Sequence, residues 1–180
     1  VNDGASTTDK ARSLVRSTSQ EALREGATMA LYVSIVLLAE MITIWVNETP
    51  GGADPIHGLE LVSLIWGTTI GLAVAHLFAF RLAAGGFGDR TFGTAEWEMA
   101  GAQLGGAASV ALVCSVPVML AGDANDLATA IYAPDIIIGV AGYIVSRAAG
   151  RSQFTSVLVG IGAALLGVAV AAAKNILAGH

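Results

Sequence analysis

Five apolar stretches, each long enough to cross a lipid bilayer, constrain this chain more than any other feature. A spanning helix needs about 20 mostly apolar residues. Such stretches run from about Ala27 to Val46, Leu59 to Ala84, Glu96 to Ala121, Leu127 to Ser146 and Phe154 to Leu177. In hydrocarbon every backbone N–H and C=O must be paired within the protein, and a helix does this inside one segment. The predicted fold is therefore all-α: a polytopic membrane protein with five transmembrane helices over 27–180. A short amphipathic helix is expected before them, within 1–26. Composition agrees. Only 13% of the 180 residues are charged and 54% are hydrophobic, against about 25% charged in soluble domains.

The connections punctuate these spans. Thr49-Pro50-Gly51-Gly52 and Pro55 follow the first, and Gly85-Gly86-Phe87-Gly88-Asp89 the second. Gly122-Asp123-Ala124-Asn125-Asp126 leads into the fourth, with Asn125 or Asp126 as its N-cap. Gly150-Arg151-Ser152 makes the last turn. Such short links predict that consecutive helices are antiparallel neighbours. Thr8 to Glu25 reads as a separate helix, with Ala11, Leu14, Val15, Ala22 and Leu23 as a weak apolar stripe. It either docks on the membrane or a partner, or simply leads into the first span.

The basic residues are distributed unevenly. Lys10, Arg12, Arg16, Arg24, Arg81, Arg90, Arg147 and Arg151 all fall on one side of a five-span arrangement, and Lys174 alone falls on the other. Cytoplasmic loops are enriched in Lys and Arg. The expectation is a multi-pass protein of the cell membrane, with a cytoplasmic N-terminus and an extracytoplasmic C-terminus. Trp45 and Trp97 sit near span ends, where interfacial aromatics collect. The net charge of −5 and the absence of a basic cluster argue against nucleic acid as a partner. The polar opening Val1-Asn2-Asp3-Gly4 does not read as a secretory signal.

Ionisable groups inside a bilayer are costly and are functional candidates by default. Glu40 lies roughly 5 Å from the centre of the first span and Asp135 within about 3 Å of the centre of the fourth. If those helices touch, the two carboxylates could form one acidic site. Both cannot ionise cheaply in a low dielectric, so the pair would hold a proton or a cation. Pro134 removes a backbone hydrogen bond beside Asp135, and broken helices at mid-depth recur at transporter ion sites. The competing reading starts a short fourth helix at Pro134, with Asp135 facing outer water and Glu40 bonded to Thr43 or to another helix.

His76 lies in the second span, with Thr69 seven residues earlier on the same face, and Gln103 lies at similar depth in the third. A proton relay or pore lining is one reading, since histidine titrates near neutrality. A hydrogen bond between His76 and Gln103 is the other. Arg81 and Lys174 are expected to snorkel to the headgroups.

Small residues recur at helical spacing: Gly67, Gly71 and Ala75, Gly101 and Gly105, Gly160 and Gly167. They permit close helix approach within or between subunits, and a homo-oligomer is expected. The chain lacks H-E-x-x-H, a P-loop and a G-x-S-x-G elbow. Its single cysteine, Cys114, excludes an internal disulfide or a multi-cysteine metal site. Asn47-Glu48-Thr49 matches a glycosylation sequon, which matters only in a eukaryotic secretory pathway. The expected function is non-enzymatic and needs no cofactor: a small oligomeric channel or transporter for protons or cations. Glu40, Asp135 and His76 would be its ion groups, with Gln103, Thr69 and Thr43 in support. The alternative is a membrane subunit or scaffold that binds partner proteins through its Gly-rich faces.

Overall fold

A computed structural model describes residues 3–47, 56–83, 93–121 and 126–177. It contains five helices: α1 (Asp3–Asn47), α2 (Gly58–Ala83), α3 (Thr94–Ala121), α4 (Asp126–Ala148) and α5 (Gln153–Leu177). Each carries a segment long and apolar enough to cross a membrane: Ser19–Val46, Gly58–Ala79, Glu96–Leu120, Ala130–Ala148 and Gln153–Lys174. The protein is thus a helical, multi-pass membrane protein.

Local chemistry marks the helix ends. At the start of α3 the Glu96 carboxylate accepts the Gly93 N–H at 2.7 Å, half of a capping box. Ser152 caps α5, its Oγ accepting the Thr155 N–H at 3.2 Å. Between these helices, α4 ends in a Schellman turn. Gly150 has φ +76°, its N–H donates to Arg147 O, and the Arg151 N–H donates to Ser146 O. Only glycine enters that left-handed conformation without strain. Asn125, one of the two expected caps of α4, lies outside the described residues.

One sequence expectation is corrected, and the competing reading of the fourth span is set aside. The helix over 8–25 is not separate, because α1 runs unbroken from Asp3 to Asn47. Gly26 does not end it. Instead Gly26 is the point at which α3 comes closest, and a Cβ there would fall 2.8 Å from the Ala102 carbonyl oxygen. Likewise α4 does not begin at Pro134. It starts at Asp126 and carries Pro134 in its interior, which leaves the Ala130 carbonyl without its helical donor.

Helix α1 is the hub, touching all four others and packing most extensively on α3. The α4–α5 pair is the most extensive contact, whereas α1 and α2 touch sparsely. The expectation that consecutive helices pack together therefore holds for α2–α3, α3–α4 and α4–α5, and is weak for α1–α2. The connection 48–57 is long enough to reach about 33 Å, so nothing forces α2 against α1. The core is formed by Met29, Val33, Leu37 and Met41 of α1 with Leu61 and Ile65 of α2, Val110, Ala111 and Val118 of α3, and Ala130 and Ala133 of α4. A second cluster joins Leu38 and Ala39 to Ile138 and Ala171. Outside lies a continuous array of exposed Leu, Ile, Val and Phe, among them Ile70, Val74, Phe78, Leu112, Ile144, Leu158, Leu165 and Leu166. Such a surface suits lipid and would aggregate in water. Trp45 and Trp97 are exposed near span ends, as interfacial aromatics should be.

Candidate functional site

Polar groups on the membrane-length helices fall in three separate places. The first joins α1 to α2. Thr68 Oγ1 donates to Glu40 Oε2 at 2.7 Å. Thr68 is near the middle of the segment Gly58–Ala79, and Glu40 is six residues from the end of Ser19–Val46. Thr43, the expected local partner of Glu40, sends its hydroxyl to the Ala39 carbonyl at 2.7 Å.

The second site is on α4. Asp135, Gly139, Gly142 and Ser146 are spaced by four, three and four residues and share one helix face. That face meets α5, since a Cβ on Gly142 would lie 2.8 Å from Ala163 Cβ and one on Gly160 would lie 2.7 Å from Gly139 O. Gly167 meets Ile138 from the same side, so the two helices are antiparallel. Asp135 stands at one end of this glycine seam and Ser146 at the other. Asp135 Oδ1 and Ser146 Oγ are both buried without a hydrogen-bond partner.

Glu40 and Asp135 are thus not brought together. Leu38 packs with Ile138 and Ala171 on the α4–α5 side of α1. Glu40 is two residues further on, hence about 200° around the helix, and reaches α2. The shared acidic site expected from their similar depth fails because depth says nothing about rotation about the helix axis.

The third site joins α1 to α3, and involves a residue that sequence reasoning passed over. Gln103 Nε2 donates to Glu25 Oε2 at 3.0 Å. No His76–Gln103 bond is found among the described residues, where the amide instead meets Glu25. Gln103 is 3% exposed, and its Oε1 is buried without a partner. The sequence reading places Glu25 at the end of a helix before the membrane. The signal that could have found it is Gly26 beside a carboxylate, with no break in the helical pattern. A Cβ on Gly106 would overlap the Gly26 carbonyl, so the two helices cross closely here and hold the pair between them.

His76 is half-buried, on the α2 face that also carries buried Leu61, Ile65 and Thr69. Thr69 Oγ1 donates to its own helix, to Ile65 O at 2.7 Å, and serves no neighbour through that bond. Cys114 is a buried free thiol. Among the described residues no group of three or more His, Cys, Asp or Glu side chains could hold a metal ion.

The small-residue faces also redistribute. Gly67, Gly71, Gly101 and Gly105, the two G-x-x-x-G pairs, have nothing within 4 Å of an added Cβ. The glycines that pack inside the bundle are Gly26, Gly106, Gly139, Gly142, Gly160 and Gly167. Comparison with protein-family models, curated proteins and solved structures finds no match.

Proposed function

We propose that this protein moves protons or small cations across the cell membrane, with Asp135 as the group that holds the ion. The observation that carries this reading is the buried, unpartnered Asp135 Oδ1, placed directly after a proline inside a membrane-length helix. A carboxylate in hydrocarbon must be neutralised by a proton, a cation or a basic partner. Pro134 leaves the Ala130 carbonyl short of its helical donor, which adds a second oxygen for an ion to meet. Glu40 and His76 are secondary groups in this reading, lying toward α2 rather than beside Asp135. The cytoplasmic N-terminus follows from the eight-to-one division of basic residues.

The test is flux into vesicles containing the purified protein, read with a pH-sensitive or cation-sensitive dye against empty vesicles. Wild-type protein should conduct. Glu40→Gln keeps an oxygen to accept from Thr68, so its effect reports the charge and not the fold. If flux is unchanged in Glu40→Gln, position 40 has no ion-handling role and Asp135 carries the activity alone.

A second reading is favoured by the open faces of Gly67, Gly71, Gly101 and Gly105. These would admit a second copy or another membrane protein. In that case Gly67→Leu or Gly105→Leu should leave the fold intact and abolish association, seen as a fall in particle mass in detergent.

A further inference from the structure

We infer that Glu25 and Gln103 form a proton-binding site in which the acid form of Glu25 closes a two-bond ring with the Gln103 amide. This goes beyond the transport reading, which uses neither residue. Three observations carry it. Glu25 lies on the membrane-length segment Ser19–Val46 and Gln103 on Glu96–Leu120, and Gln103 is buried. Gln103 Nε2 donates to Glu25 Oε2 at 3.0 Å. The other end of that amide, Oε1, is a buried acceptor that nothing fills.

The hydrogen-bond inventories of the two groups decide what would fill it. An ionised carboxylate only accepts, so it satisfies Nε2 and leaves Oε1 orphaned. A protonated carboxyl carries one O–H donor beside its accepting oxygen. With Glu25 Oε2 still accepting from Nε2, the hydroxyl on its other oxygen can donate to Gln103 Oε1. Both ends of the amide are then paired. A proton is taken up from solvent at the Glu25 carboxyl, and no other bond is made or broken.

The helix crossing fixes the geometry. Gly26 and Gly106 bring α1 and α3 into direct contact, so Gln103 has little room to turn away. Among the residues whose side chains are described, the other charged groups at this end of the bundle are Glu21 and Arg24 on α1, Arg81 on α2, Glu96 and Glu98 on α3, and Arg147 on α4. Arg151 lies just beyond α4, and α5 contributes no charged group at its near end. Glu96 is occupied with the Gly93 N–H, and Arg147 Nη1 donates to the Arg151 carbonyl at 2.9 Å.

The test is infrared difference spectroscopy of the full chain in lipid vesicles, across mildly acidic to mildly alkaline buffer. Protonated carboxyls absorb apart from carboxylates, so the state of Glu25 can be read directly. The expected result is a protonated-carboxyl band that rises on acidification and is missing in Glu25→Gln. That variant keeps a ring, amide to amide, and should fold. Gln103→Leu removes the acceptor and should shift the same band, which tests the pairing even if position 25 tolerates no change. Loss of only a carboxylate band in Glu25→Gln, at every pH, would overturn the inference. A band that follows sodium concentration rather than pH would overturn it too, by making the site a cation site. Neither readout depends on flux, so the transport reading can fail while this one stands.

Discussion

Thr68 Oγ1 on α2 donates a 2.7 Å hydrogen bond to Glu40 Oε2 on α1, and this is the polar link between two consecutive helices that otherwise touch sparsely. Interhelical hydrogen bonds in membranes contribute about 0.6 kcal/mol on average and up to about 1.7. Thr68→Val should therefore destabilise the bundle by about 1 kcal/mol, and Thr68→Ser should restore most of it. Thr69→Val, one residue away, removes a hydroxyl that bonds only its own helix through Ile65 O and should cost less. Equilibrium unfolding in mixed micelles compares them. Equal losses at 68 and 69 would remove the special status of the Glu40 link.

The glycines give a paired prediction. Gly106→Ala places a Cβ against the Gly26 carbonyl, and overpacking of this kind costs about 1–3 kcal/mol. Gly105→Ala meets nothing within 4 Å and should be neutral or slightly stabilising, since alanine is the better helix former by about 1 kcal/mol. The same unfolding assay reads both. Reversed effects would place the α1–α3 crossing elsewhere.

These contrasts show what the sequence makes legible. Hydropathy marks where each helix enters and leaves the bilayer, so the expected spans match α2 to α5 within about two residues, whereas the first, expected from Ala27, begins at Ser19. Rotation about each axis is set by packing and leaves little trace in a single sequence. That is why Gly67 and Gly101 are open within the bundle, while Gly26, Gly106, Gly139 and Gly142 join Gly160 and Gly167 at its contacts. It is also why Glu40 was paired with Asp135 by depth and is found beside Thr68. Glu25 was missed because the charged run before it resembles a span boundary.

Cys114 supplies a test of the core. It is buried on α3 at 1% exposure, among Val110, Ala111 and Val118. A membrane-permeant maleimide should leave it unlabelled in the folded protein and label it fully after denaturation. Prompt labelling would contradict the packing of α3 against α1 and α4. An unreactive Cys114 also makes single introduced cysteines at span ends clean reporters of orientation. Those in the connection 149–152 are expected to react only from the cytoplasmic side.

The α4–α5 seam should be equally selective. Gly142→Val has Ala163 in its way and should separate the two helices, with a loss of about 1–3 kcal/mol. Gly162→Val faces open space and should be tolerated. Since Asp135 shares the face of Gly142, opening the seam should also lower flux beyond what the loss of folded protein explains. Flux that simply tracks the amount of folded protein would separate the seam from the ion site.

The most direct test of the account is the flux of protons or small cations through wild-type protein and Asp135→Asn in reconstituted vesicles, at matched amounts of folded protein. Asparagine keeps the shape and removes the charge. The account predicts at least a tenfold loss, about 1.4 kcal/mol in the barrier, with recovery in Asp135→Glu. Flux in Asp135→Asn equal to wild type, or wild-type flux no greater than that of empty vesicles, would contradict it.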